Sequence, residues 1–421
     1  MLRKITLTQL RKGMFIHELE ISWISSPFWQ KSFLVDSDDV LCKVQETGVK
    51  DLLIDTDKGG DIPAIRDTSA GLDANSKPEL QELQDALEEP SLSSLDAIVR
   101  VSFDAEIGIA AKIVDKSKEA VCSMFNEARM GKAIEAEQAM TLVEDIAQSV
   151  MRNPGALIGL ARLKTSDDYT YMHSVAVCAL MIALARQLGL DDDMTREAGL
   201  AGLLHDIGKM AIEPGILNKP GKLSDTEFNE VKRHPEEGHK ILLEAKTISE
   251  AALDVCLHHH EKVDGSGYPH GLKGEAISLF AKMGAVCDVY DAITSNRPYK
   301  VGWCPAESLR RMSEWSKGHF DDLIFQAFVK SIGIYPVGTL VKLHSGRLGV
   351  VIEQQVGKSL LLPKVRVFFS TKSKVYIPPL LLDLSSPASN DKIVSREDAA
   401  TWGLKDIDHY WLGDSFASAT H

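Results

Sequence analysis

Eight of the thirteen histidines in this 421-residue chain fall between His173 and His270, and three of them stand side by side in residues 258–269, HHHEKVDGSGYP. An apolar run over 251–257 leads into this stretch with helical character, and a glycine-rich turn follows at once. Neighbouring side chains on a regular helix point roughly 100° apart, given about 3.6 residues per turn. Two adjacent imidazoles therefore converge on one point best where a helix is ending, as Gly265 and Gly267 indicate. Taken alone, the stretch fits a solvated polar helix end equally well. Histidines retained for separate structural reasons would spread along the chain, so their concentration points to a metal site, imidazole being a common ligand.

The same region carries the pattern further. His205-Asp206 closes an apolar helix, GLLHD, ahead of Ile207-Gly208-Lys209. A carboxylate is costly to bury alone, so one beside an imidazole at the inner end of an apolar helix calls for a cation. His173 opens a run of small and apolar residues, and His234 follows a helix that begins with the capping-box pattern Ser224-Asp225-Thr226-Glu227. Asp288 interrupts the apolar LFAKMGAVCDVYDAI. Each of these residues singly reads more simply as a hydrogen-bonded core or boundary residue. Seven together on facing helices of one bundle form the pattern of a di-metal centre.

Composition bounds what such a centre serves. The length implies two or three domains. A net charge of −13 excludes general binding to DNA, RNA or an anionic bilayer, so positive charge for an anionic substrate has to be local. Six dispersed cysteines without a CxxC pair indicate a reducing compartment. The N-terminus, MLRKITLTQL, lacks an apolar signal core, and the longest apolar run, 175–185, falls short of the roughly 30 Å of a bilayer interior. A cytoplasmic protein without membrane insertion is expected.

Pattern along the chain divides it into a β-rich region over 1–57, a linker over 58–94 and connecting amphipathic helices over 95–152. An all-helical domain spans 153–333, a small β extension 334–384 and a polar tail 385–421. Helices are predicted over 169–188, 195–205, 225–233, 236–245, 250–260, 279–294, 305–316 and 321–332. Asn153-Pro154-Gly155 stops the helix before them. The fold class is mainly α, a helical bundle enclosing a di-metal site, with small β-rich regions at both ends.

HDIGK, HHE, DGSGYP and DVYDAITSNRPYK, in this order, with ILNKPGKL and GHFDD as further landmarks, closely resemble the HD-GYP phosphodiesterases, a branch of the HD-domain metal-dependent phosphohydrolases. The resemblance covers 153–333. The N-terminal part resembles a region of unknown function that often precedes such domains in bacterial proteins. The resemblance implies an HD-type bundle that hydrolyses cyclic di-GMP, a bacterial second messenger, with the end product open between pGpG and GMP, and with effects on motility and biofilm behaviour. It implies His173, His205, Asp206, His234, His259, His260 and Asp288 as ligands of two divalent metals, iron or manganese, with Asp206 bridging them. His258 falls where the motif has a non-ligand. A third metal in some members uses a carboxylate one turn before the first histidine; here that position is Tyr169, which favours two metals, while Asp167 and Asp168 keep a third open.

A phosphodiester is anionic and repels hydroxide, so two cations about 3.5–4 Å apart would both neutralise it and activate a water for in-line attack. Lys209 would set an ammonium against the scissile phosphate or the bridging hydroxide; as a plain helix-end cation it would contribute only about 0.3–1 kcal/mol. Arg297 and Lys300 would grip the phosphates, and the Tyr268 ring would stack near a guanine. The loop of Asp264, Gly265, Gly267, Tyr268 and Pro269 is implied as a contact for GGDEF-domain cyclases. Two other readings stay open: a low-turnover module that binds cyclic di-GMP or a GGDEF protein, and a hydrolase of another cyclic nucleotide. A homodimer is compatible with the sequence.

Overall fold

The computed structural model describes residues 2–19, 32–37, 40–41, 44–45, 51–60, 94–163, 169–219, 221–245, 247–295, 302–355 and 357–412. Two compact units divide between Ala97 and Ile98. In the first, β1 (Leu2–Thr6), β2 (Phe15–Leu19), β3 (Phe33–Leu34) and β4 (Asp51–Asp55) form an antiparallel sheet in the order β1-β4-β2-β3. Alternate residues of a strand point to opposite faces, and Ile16, Leu52 and Ile54 are accordingly buried with Ile5, Leu10, Met14 and Val35. Most of the linker, 61–93, lies outside the described residues.

The second unit is a helical bundle with a sheet at its C-terminal end. α1 (Phe103–Arg129) and α2 (Ala136–Arg152) each bury one face, with Ile107, Val114 and Val121 on the first and Val143, Ile146 and Val150 on the second. Buried Glu106 joins them: its carboxylate accepts from Ser149 Oγ at 2.7 Å and from the Arg152 fork at 2.7 and 2.9 Å. Asn153-Pro154-Gly155 ends α2, and it also begins a helix that the sequence reading lacked, α3 (Pro154–Arg162). Proline suits that first turn, where its missing N–H leaves no bond unmade.

α4 (Tyr169–Gln187) is apolar all round, and every residue from Met172 to Ala185 is buried, the expected place for such a helix. Among the described residues it is also the one helix long and apolar enough to cross a membrane; here it is the core of the bundle. Around it lie α5 (Asp192–Leu204), α6 (Pro214–Leu217), α7 (Asp225–Val231), α8 (His234–Glu244), α9 (Glu250–His258), α10 (Leu279–Thr294), α11 (Pro305–His319) and α12 (Asp322–Ile332). α5 starts earlier than predicted because Asp191 caps it, accepting from Met194 N at 2.8 Å. α7 begins with the predicted capping box of Ser224 and Glu227.

Five antiparallel strands follow in the order β8-β7-β6-β5-β9: β5 (Leu340–Leu343), β6 (Arg347–Glu353), β7 (Lys364–Ser370), β8 (Val375–Asp383) and β9 (Ile393–Arg396). The segment after 385, expected as a polar tail, is in part structural. It supplies β9, paired with β5, and the short α13 (His409–Leu412), whose Trp411 is fully buried edge-on to Phe103. A four-residue strand with alternately exposed side chains leaves little apolar signal in a sequence.

Candidate metal centre

Six elements converge on one point inside the bundle. α4 presents His173 in its second turn, and α5 ends so that His205 and Asp206 follow directly, before a 3₁₀ turn over Ile207–Ala211. α8 opens with His234, α9 gives way to His259 and His260, and α10 carries Asp288 mid-helix. His173, His205, Asp206, His234 and His259 are each only 1% exposed. Gly208 makes the approach of the 3₁₀ turn to α8 feasible: a Cβ there would lie 1.9 Å from the His234 carbonyl oxygen.

The side chains form two trios, His173 with His205 and Asp206, and His234 with His259 and His260. Asp206 belongs to both. Its Oδ2 lies 3.3 Å from His173 Nε2 and 3.4 Å from His205 Nε2, while its Oδ1 lies 3.3 Å from His234 Nε2 and 3.9 Å from His259 Nε2. Asp288 spans the gap likewise, with Oδ1 3.0 Å from His173 Nε2 and Oδ2 3.7 Å from His260 Nδ1.

Four of the histidines have their other ring nitrogen against an acceptor. His205 Nδ1 faces the Gly202 carbonyl at 2.8 Å, His234 Nδ1 that of Val231 at 2.8 Å, His259 Nδ1 that of Val255 at 2.9 Å, and His173 Nδ1 the Asp291 carboxylate at 2.6 Å. A carbonyl or carboxylate accepts only from N–H, so Nδ1 donates and Nε2 keeps a bare lone pair. Two pairs of such atoms, His173 with His205 and His234 with His259, lie Nε2 to Nε2 at 3.3 Å. Lone pairs at that separation repel unless something positive lies between them. Asp206 Oδ1 is buried without a hydrogen-bond partner, although a buried carboxylate oxygen needs one. The donor set thus fits two divalent cations, one per trio.

The charge balance points the same way. Burial works against charge on His173, but Asp206, Asp288 and Asp291 outweigh it and raise the imidazole to about 10, so His173 is held protonated and a metal has to displace that proton. Burial, with the neighbouring His260, drives His259 well below its usual value, and burial takes His260 down to about 3. Burial pushes Asp206 and Asp288 upward, yet the cationic groups around them hold both well below the carboxylate range: Lys209 and the imidazoles for Asp206, the imidazoles for Asp288. Anionic carboxylates and neutral imidazoles are the forms that bind metal.

Lys209 Nζ lies 2.5 Å from Asp206 Oδ2. Tyr268 stacks on His260 with ring centroids 4.6 Å apart, and Lys232 Nζ sits 5.4 Å over the tyrosine ring. The loop that carries it is anchored: Asp264 N donates to Gly318 O at 3.0 Å, and Asp264 Oδ1 accepts from Ser266 N at 2.8 Å. His258 stands apart from both trios, paired with Asp254 at 2.7 Å and His270 at 3.0 Å. Arg297, Lys300, Asp167 and Asp168 lie outside the described residues. Two residues with no assignment from sequence matter here. Asp291, one helical turn after Asp288, orients His173, and the i, i+3 spacing in DVYDAI was the available signal. Buried Glu261 accepts from His270 N at 2.7 Å and Leu272 N at 3.0 Å, shaping the loop from beneath.

An HD domain matches residues 126–324, and a domain of unknown function, DUF3391, matches residues 2–139. Over 414 residues, 98% of this chain and 96% of the relative, the sequence is 54% identical to the cyclic di-GMP phosphodiesterase PA4108 of Pseudomonas aeruginosa. It is 50% identical over 122 residues, 28% of the chain and 32% of the relative, to the cyclic di-GMP phosphodiesterase response regulator RpfG of Xanthomonas campestris. Over 166 residues, 39% of the chain and 38% of the relative, it is 37% identical to the 3'3'-cGAMP-specific phosphodiesterase 1 of Vibrio cholerae. The chain belongs to the HD-domain family, in the branch that includes the Pseudomonas enzyme.

Proposed function

We propose that this protein is a metal-dependent phosphodiesterase that hydrolyses cyclic di-GMP, with either pGpG or GMP as the end product. The observation that carries the reading is Asp206, a buried carboxylate with one oxygen turned to each histidine trio and Oδ1 without a hydrogen bond. The 54% identity along nearly the whole chain to a cyclic di-GMP phosphodiesterase supports the substrate. His173, His205, Asp206, His234, His259, His260 and Asp288 would hold two divalent ions, iron or manganese suiting mixed imidazole and carboxylate donors. Such ions, when bound, neutralise the phosphodiester and lower the pKa of a water that attacks it.

The chain's own groups do the rest. Asp291 holds the His173 ring with Nε2 bare. Lys209 offers its ammonium to the phosphate oxygens as charge gathers on them. Tyr268, already on His260, gives a guanine an aromatic face. Arg297 and Lys300 are assigned to grip the phosphates, and the anchored 264–269 loop the contact with GGDEF-domain cyclases.

The test is metal content and cyclic di-GMP turnover, for the native chain and for His205→Ala combined with Asp206→Ala. Near two metals per chain, with turnover abolished by the double change, is expected. Full metal occupancy of the native chain without turnover, under reducing conditions and with either metal supplied, would overturn it in favour of a binding module. The 3'3'-cGAMP-specific relative favours a second reading for substrate; turnover of 3'3'-cGAMP at least equal to that of cyclic di-GMP would establish it.

A further inference from the structure

At the rim of the metal centre stands an arrangement that takes no part in either histidine trio. Phe228 on α7 and Lys232, which caps the end of that helix, are one helical turn apart and share a face, with the Lys232 N–H donating to the Phe228 carbonyl at 3.0 Å. Lys232 Nζ stands 4.8 Å from the centre of the Phe228 ring and 5.4 Å from that of Tyr268. Tyr268 in turn stacks on His260 of the second trio with centroids 4.6 Å apart. A row therefore runs outward from the metal ligands: imidazole, phenol ring, ammonium, phenyl ring. Its outer end is open to solvent, Phe228 being 46% exposed.

The ammonium differs from its neighbours in what holds it. Lys219 pairs with Glu227 at 2.7 Å, Arg233 with Glu230 and Glu237 at 3.0 Å, and Lys240 with Glu237 at 3.0 Å. Lys232 forms no ion pair with a described residue and rests on two aromatic rings, a weak hold at an exposed site. Its N–H donors are open to an acceptor that a ligand brings. His260 takes one face of Tyr268, so a base has the rest of the ring to lie on, within reach of the ammonium. Stacking alone does not choose the base, since every base offers a flat π-face. The choice is made at the rim. Guanine turns two acceptors, O6 and N7, to one edge, where adenine has N7 beside an amino donor. An ammonium only donates, so it satisfies both atoms of the guanine edge and is opposed by the amino group of adenine. The ammonium borders two aromatic rings, the surroundings of a stacked base, whereas a phosphate is drawn to the trios.

Resting on the reading of this centre as a site for a guanine nucleotide, we propose that Lys232 selects guanine over adenine at the base stacked on Tyr268, and that Phe228 positions its ammonium.

The test is a pair of mononucleotides, GMP and AMP, titrated by calorimetry into the manganese-loaded full chain. Both carry the same phosphate and sugar, so capture by the metals affects them alike and the ratio of their Kd values reports the base. The native chain is expected to hold GMP about tenfold or more tighter than AMP. Lys232→Met is expected to cut that ratio at least about fivefold, the lower end of what one two-atom guanine contact contributes, and Lys232→Arg to keep it. Phe228→Ala is expected to lower the ratio in the same sense, and Phe228→Trp, which retains an aromatic face for the ammonium, to restore it. A lysine that merely tethers α7 to the 264–269 loop would leave the ratio unmoved. Equal affinity for GMP and AMP in the native chain, no saturable GMP binding, or a ratio that survives Lys232→Met would overturn the assignment. So would an equal loss of both nucleotides in Lys232→Met, which would make the ammonium a phosphate contact. A ratio unchanged in Phe228→Ala would overturn the positioning role of Phe228. A GMP preference that depends on Lys232, in a chain that does not hydrolyse cyclic di-GMP, would uphold the assignment and overturn the phosphodiesterase reading alone.

Discussion

Asp291 touches no member of the second trio, yet it fixes which nitrogen of His173 faces the centre. Partners of this kind commonly tune metal affinity by about 10–100-fold. Asp291→Asn keeps the size of the side chain and removes its charge. We expect a metal-affinity loss of that order, read by titration against a competing chelator, with the circular dichroism spectrum unchanged. Lys209 sits at the opposite limit. Its ammonium lies beside Asp206 Oδ2 but supplies no lone pair to a cation, so Lys209→Met is expected to keep both metals and lower kcat by about 10²–10³-fold, the range for loss of one charge-stabilising group. Unchanged kcat would reduce Lys209 to a structural ion pair. Four of the seven ligand candidates stand in the short strings HD and HHE, whereas His173, His234 and Asp288 stand singly and were named through the resemblance. Asp291 was not, because one more aspartate on an apolar helix has no visible partner when its histidine lies 118 positions away.

Among the elements, the 264–269 loop depends on the end of α11. Val263 N donates to His319 O at 3.3 Å and Asp264 N to Gly318 O, with Gly318 held at φ +91° in the left-handed region that favours glycine. Burial, aided by the Lys262 charge, takes His319 down to about 4. The unfolded chain takes up this proton near pH 6.5 while the folded chain resists it until about 4, so the folded state binds fewer protons in between. The stabilisation is complete above about pH 6.5 and is lost as pH falls from there towards 4. His319→Gln is expected to flatten that part of the stability–pH curve from chemical denaturation; an unaltered slope would exclude His319 as its source. The helices of the bundle were legible because apolar residues recur at helical spacing and Ser224 marks a start with its cap. α3 was hidden because a proline that opens one helix reads equally well as the end of the previous one.

On the scale of the whole molecule, the C-terminal sheet belongs to the same compact unit as the helical bundle. Trp411 anchors this end, fully buried with its ring edge-on to Phe103 and its Nε1 donating to Asp408 at 2.7 Å. Trp411→Ala is expected to destabilise this unit by about 3–5 kcal/mol, measured by urea unfolding, with metal binding by the folded fraction unaltered. Sequence alone undervalued this end because a single tryptophan in polar surroundings carries no period. The all-round burial of α4 has a kinetic consequence of another kind. A helix with no solvent face has no low-energy way to open its amides one turn at a time, so its peptide hydrogens should exchange with deuterium only when the entire bundle comes apart. His173 rides on that helix, and its backbone should be among the last in the chain to take up the isotope.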